Sequence, residues 1–146
     1  MMGPDRVVAE ARTWIGTPYL HQASTKGAGT DCLGLLRGIW RALQGVEPEP
    51  VPPYTADWAE PDHREVLLEA AGRLLLRKPQ DAADRGDVLV FRMRTGSIAK
   101  HLGIQSQTGA EPRFIHAYTD HGVVESPLSQ PWDRRIAARF AFPKGA

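Results

Sequence analysis

Apolar positions near the start of the chain recur every three or four residues. In VVAEARTWIG, Val7, Val8, Ala11, Trp14 and Ile15 fall at helical spacing, with Pro4 and Asp5 as start signals and Gly16 as a stop. TPYLHQASTKGAGT, which follows, is polar and glycine-containing and predicts a long loop. Thr30 or Asp31 then caps a helix running to about Leu43, with Gly45 just beyond it. VEPEPVPPY fits neither a helix interior nor a central strand, because proline lacks the N–H and fixes φ, so it predicts a stiff surface connector. Asp62 and Glu65 resemble a capping box opening an amphipathic helix through REVLLEAAGRLLL.

After Pro79 the pattern changes. DVLVF, HLGIQ, RFIHAY, GVVES and RIAARFAF are short, rich in β-branched or aromatic residues, and separated by turn residues. They predict an antiparallel meander of about five strands. RGD at Arg85–Asp87 reads as the turn before the first of them. Helices first and strands afterwards give an α+β class, with the N-terminal helices packed on one face of a C-terminal antiparallel sheet. At 146 residues, one domain spanning 1–146 is expected.

Composition narrows the function. A net charge of +1, with no basic run, argues against nucleic acid as a partner. No segment is apolar enough to span a membrane, and MMGPDRVVAEARTW is not a signal peptide, so synthesis and folding in the cytoplasm are expected. One cysteine forms no internal disulfide.

That cysteine, Cys32, lies at the predicted start of the second helix, in GTDCLGLLRGIW. Taken alone, it reads as a small buried hydrophobe. Its position adds a second reading. Free N–H groups and the helix dipole at a first turn favour the thiolate, while the carboxylate of Asp31 opposes it unless capping directs that charge to backbone donors. Cys32 shares a helical face with Leu36, Ile39 and Leu43, so the sulfur is expected along the seam between helix and sheet.

Of five histidines, His101 and His116 occupy strand-like segments, whereas His21, His63 and His121 fall in loops, turns or a helix start. A tight hairpin centred between Thr108 and Gly109 would set His101 and His116 directly opposite, on one face, with Gly103 leaving that face open, while Pro112 leaves a longer loop and another register open. Either imidazole alone reads as structural. Together, one thiol and two imidazoles meet the requirement for nucleophile, base and orienting group. Zinc would call for paired spacings such as CxxC or HxxxH, which are absent, so no metal is expected.

TPYLHQ, TDCLGLLRGIW, RGDVLVF, KHLGIQ and FIHAY occur in the order seen in NlpC-type cell-wall cysteine peptidases, a papain-like group, and the chain resembles that family from Ala9 to about Ser126. The resemblance implies Cys32 as nucleophile, His101 as general base and His116 as the third polar group. It also implies Tyr19 reaching toward the cysteine, with Asp31 on the substrate side. It implies cleavage of amide bonds in peptidoglycan stem peptides, often between D-glutamate and a diamino acid, with no cofactor. The proline-rich PPYTADW strengthens a likeness to stand-alone members encoded with phage tails and gene transfer agents. Tail proteins are therefore expected partners, and a phage-like particle the expected location. Two other readings stand beside it: a tail-tip hub without chemistry, and an amidase of the same fold acting on another small amide. Leu33 and LHQA depart from the family pattern near the expected groove, so cleavage-site preference is not carried over.

Overall fold

The computed structural model describes residues 3–48, 65–94 and 96–143. Helix α1 (Gly3–Thr13) buries Val7, Val8 and Ala11, and Trp14 just beyond it is buried too. Ile15, expected on the same face, is 44% exposed, because the helix has already ended. The predicted loop contains a two-residue hairpin, β1 (Ser24–Thr25) and β2 (Gly29–Thr30), and Tyr19 forms a parallel bridge to Thr30.

Helix α2 (Cys32–Gln44) starts where the cap predicts. Asp31 is extended and its side chain accepts from the Gly34 N–H. Gly45 closes the helix through its N–H to the Arg41 carbonyl. A Cβ on Gly34 would stand 1.9 Å from the Ala23 carbonyl oxygen, so only glycine lets the preceding loop lie against the first turn of α2.

Helix α3 (Val66–Leu74) is shorter than its pattern predicts. Asp62 lies outside the described residues. Glu65 stands at the N-cap position but makes no capping bond, because its carboxylate is engaged elsewhere. After Leu75 the chain becomes strand β3 (Leu76–Lys78), which the leucine run disguises as helix.

Strands β4 (Val88–Phe91), β5 (His101–Gln107), β6 (Arg113–Tyr118), β7 (Gly122–Pro127) and β8 (Ile136–Ala141) follow, with the short helix α4 (Gln130–Asp133) before β8. The sheet has six antiparallel strands in the order β3-β8-β4-β5-β6-β7, against the five expected. The meander holds from β4 to β7, and β8 then returns to the far side of β4.

Alternation along the strands makes two apolar layers. Val88, Val90, Leu102, Ile104, Ile115 and Ala117 join Leu35 and Ile39 of α2 in the main core. Leu89, Phe91 and Phe114 face the other way, beneath Leu128 and Trp132. The RGD turn has a structural role. Asp87 is 2% exposed and accepts from Arg139 at 2.8 Å and from Lys78 at 2.8 Å, while Arg139 also donates to Gln105 at 2.6 Å.

Candidate active site

Cys32 is the first residue of α2 and is 7% exposed. Its Sγ lies 3.7 Å from the carbonyl oxygen of Lys100, at the start of β5. Burial pushes the thiol up to about 12, with a further push from Asp31. The N–H groups of Leu102, Leu33 and Cys32 pull the other way without reversing it. The sequence-based expectation of a resting thiolate is therefore corrected: removal from water outweighs the helix terminus. Lys100 and Leu102 flank His101, so the sulfur is seated against the strand backbone on both sides of that residue.

The register of β5 and β6 also needs correction. Ile104 pairs with Ile115, and a bulge lies between Gln105 and Gln107. Extended along the strands, this pairing sets Gly103 rather than His101 opposite His116. The slip is two residues, so both imidazoles keep the same face. They meet diagonally, with His101 Nε2 2.8 Å from His116 Nδ1. Gly103 makes room for this, since a Cβ there would come within 2.9 Å of the Phe114 ring and 3.1 Å of the His116 Cβ. His116 is fully buried, and its Nε2 lies 3.0 Å from Ser126 Oγ. Burial lowers His101 to about 4. Burial first, then the neighbouring His101 and His121, lower His116 to about 3. At neutral pH both rings are uncharged.

Thiol and imidazoles approach β5 from different sides. Cys32 belongs to the main core, whereas the two rings lie among Phe91, Phe114, Tyr118 and Trp132. No hydrogen bond joins Cys32 to the His101 ring among the described residues. Nε2 of His101 is committed to His116, which leaves Nδ1 as the nitrogen able to accept a proton.

Tyr19 stands beside the sulfur. Burial raises its hydroxyl, with the neighbouring Cys32 adding to the effect, while a side-chain bond with Thr119 lowers it. Asp31, expected on the substrate side, is 2% exposed, and both of its oxygens serve the backbone, at Gly34 (2.8 Å) and Gln22 (2.7 Å). His21 and His121 stay in turns, as expected, and His63 lies outside the described residues. Sequence reasoning missed Ser126 and Trp132. Ser126 has a faint signal, because it lies in a strand-like run paired with Phe114, on the face that carries His116. Trp132 has none, since its place depends on how α4 folds back over the sheet. Among the described residues no three His, Cys, Asp or Glu side chains are grouped as metal ligands, and no helix is long and apolar enough to cross a membrane.

Comparison with known proteins identifies the family. A model of the NlpC/P60 family matches residues 16–139. The chain is 30% identical over 131 residues to the murein DD-endopeptidase MepS/murein LD-carboxypeptidase of Escherichia coli, a match covering 89% of this chain and 58% of that protein. It is 31% identical over 126 residues to the gamma-DL-glutamyl hydrolase of Bacillus subtilis, covering 86% and 26%. The chain thus spans less than two thirds of either relative. Among solved structures, the NlpC/p60 domain of the peptidoglycan hydrolase SagA aligns with a TM-score of 0.59 at 25% identity, over 96% of this chain and 97% of that one. An NlpC/P60 protein from Bacillus cereus aligns with a TM-score of 0.67 at 18% identity, over 95% and 40%. With its helices laid on a six-stranded antiparallel sheet in the papain-like manner, the chain belongs to the NlpC/P60 family.

Proposed function

We propose that the chain is a cysteine peptidase that cleaves amide bonds in peptidoglycan stem peptides. In this reading Cys32 is the nucleophile, His101 the general base and His116 the group that orients it. The observation that carries it is the 2.8 Å bond from His101 Nε2 to His116 Nδ1, made beside the backbone that holds the Cys32 sulfur. For Nδ1 of His101 to accept the thiol proton, its Nε2 must carry a hydrogen and donate it to His116. The Nε2–H of His116 then donates to Ser126 Oγ. One choice of tautomer satisfies the whole chain.

Because thiol and imidazole rest uncharged, proton transfer accompanies attack rather than preceding it. The Sγ bonds to the amide carbon as His101 takes the thiol proton, and the backbone N–H of Cys32 faces the developing oxyanion. The C–N bond breaks, and the imidazolium protonates the departing amine. Water then adds to the thioester, with His101 again accepting the proton, and the carboxylic acid leaves as the thiol is restored.

Family resemblance supports the bond between D-glutamate and a diamino acid as the one cut, and the name of the Bacillus relative supports a glutamyl bond as the target. Resemblance in sequence, including PPYTADW (outside the described residues), also supports delivery by a phage-like tail. The decisive test incubates the purified chain with defined stem peptides and reads the products by mass. Cleavage at the D-glutamyl amide, lost in Cys32→Ala, is the expected result. No cleavage of any stem peptide would return the chain to the hub reading. Absence of the protein from purified phage-like particles would remove the tail.

A further inference from the structure

On the Trp132 side of the sheet, an open cavity of about 670 Å³ is lined by Arg92, Arg94, Arg134 and Arg135, with Pro131 and Ile136. No acidic side chain is among its described lining residues. The chain as a whole is nearly neutral, with 18 Lys and Arg against 17 Asp and Glu, so four arginines around one hollow are a local excess. Arg92 is partly neutralised by Glu65. The Arg135 guanidinium lies 5.6 Å over the Trp132 ring. Arg94 and Arg134 are exposed and make no ion pair or side-chain hydrogen bond among the described residues.

We infer that this hollow is an anionic subsite that receives a free carboxylate of the wall peptide. The inference deepens the proposed function and rests on it for the identity of the ligand. Guanidinium groups present donors in a planar fork that matches a carboxylate, and a concave surface of one sign concentrates the field of its charges. The hollow also connects to the reacting groups. Trp132 lies 5.8 Å from the His101 ring and has the Arg135 guanidinium over it. An extended peptide covers roughly 3.5 Å per residue, so these two ring contacts put Arg135 within about three extended residues of the His101 ring.

The test uses the whole chain, the Arg94→Gln/Arg134→Gln double variant, and two stem peptides identical except for a free terminal carboxylate or a carboxamide. The wild type should show a KM about tenfold lower for the free acid, and the double variant should erase most of that preference while changing the amide's KM by no more than about threefold. High salt should weaken the preference in the wild type. Equal KM values for the two peptides in the wild type, or an equal loss on both in the variant, would overturn the subsite. If neither peptide is cut, the hydrolase reading fails separately, and titrating Cys32→Ala protein with both peptides still decides the subsite by affinity. Inorganic phosphate provides the last arm. Phosphate that displaces the free-acid peptide, binds more tightly than it and loses its affinity in the double variant would reassign the hollow to phosphate groups and overturn the carboxylate assignment.

Discussion

Two buried polar clusters cross the same sheet on opposite principles. Around Asp87, every charge has its partner: Arg139, Lys78 and the carboxylate itself are joined at 2.8 Å, and Gln105 takes a further Arg139 proton. Around His101, both imidazoles and the nearby thiol are uncharged at neutral pH, and Nδ1 of His101 makes no hydrogen bond among the described residues. The first arrangement ties together β3, the turn before β4, β5 and β8 through paired charges. The second holds a thiol and two imidazoles neutral by burial, and in the proposed mechanism a proton passes from thiol to imidazole when a substrate arrives. Burial with complete pairing makes structure, and burial with one vacancy makes a site for chemistry.

The largest expected effects separate the clusters by kind. Cys32→Ala and His101→Ala should each reduce turnover of a stem peptide by about a thousandfold or more, while leaving the melting temperature close to that of the parent. Asp87→Ala should do the reverse. It strands Arg139, which is 3% exposed, and removal of one partner of a buried pair costs about 3–5 kcal/mol. Denaturant titration beside single-turnover kinetics tests both. A Cys32→Ala protein that unfolds as readily as Asp87→Ala would erase the distinction.

His116 should fall between. His116→Asn keeps a polar group near His101 Nε2, and a loss of about ten- to a hundredfold in kcat is expected, with KM little changed. An effect as complete as that of His101→Ala would mean that His116 does more than orient its neighbour.

Acidity and alkali sharpen the same contrast through stability. Unfolded imidazoles take up protons below about 6.5, while folded His101 resists until about 4 and folded His116 until about 3. Between 6.5 and those values the unfolded state binds more protons, so stability should fall as pH drops through that window and should not respond to these groups above it. His116→Asn should flatten the fall, as read by calorimetry between pH 7 and pH 5. The thiol acts at the other end. Its folded value of about 12 exceeds the ordinary 9.0, so its contribution is intact below 9 and is lost as pH rises toward 12. Alkylation of Cys32 by iodoacetamide should therefore be slow at pH 7 and climb without a plateau through pH 9. A plateau near pH 6 to 7 would restore the resting thiolate.

Much of this contrast was legible in the chain, and what was hidden follows a rule. Helix α2 and its cap could be read because Asp31 and Gly45 act within a few residues of the ends they close. The shared face of His101 and His116 could be read because a strand alternates with period two, and a register slip of two residues preserves it. The register itself could not, because the bulge near Gln107 is set by the whole β5–β6 hairpin. Strand β3 was hidden because Leu76 continues a leucine run of helical character, and pairing with β8 decides otherwise. Thiol ionisation is hidden for the same reason. The helix terminus is visible in sequence, whereas burial depends on long-range packing of α2 against the sheet.

The smallest expected effect lies at Glu65, where the capping pattern pointed to the wrong partner. Its Oε1 accepts from the Ala99 N–H at 2.9 Å, and its Oε2 pairs with Arg92, which also donates to the Ser97 carbonyl. Ala99 is followed by Lys100, whose carbonyl touches the thiol, and then by His101. The carboxylate thus ties the start of α3 to the segment that carries His101 and whose backbone touches the thiol. Burial raises Glu65, but the Ala99 N–H and Arg92 together leave it below the usual carboxylate range. At 29% side-chain exposure the ion pair is solvated, and its contribution to stability should be no more than about 1 kcal/mol. Glu65→Gln keeps an oxygen for Ala99 and gives up the charge, whereas Glu65→Ala loses both. If the clamp positions the His101 segment, kcat should drop about three- to tenfold in Glu65→Ala and recover most of its value in Glu65→Gln. Equal losses in the two variants would make the ion pair, rather than the bond to Ala99, the part that matters. An unchanged kcat in both would leave Glu65 as a surface tie with no bearing on the neutral cluster.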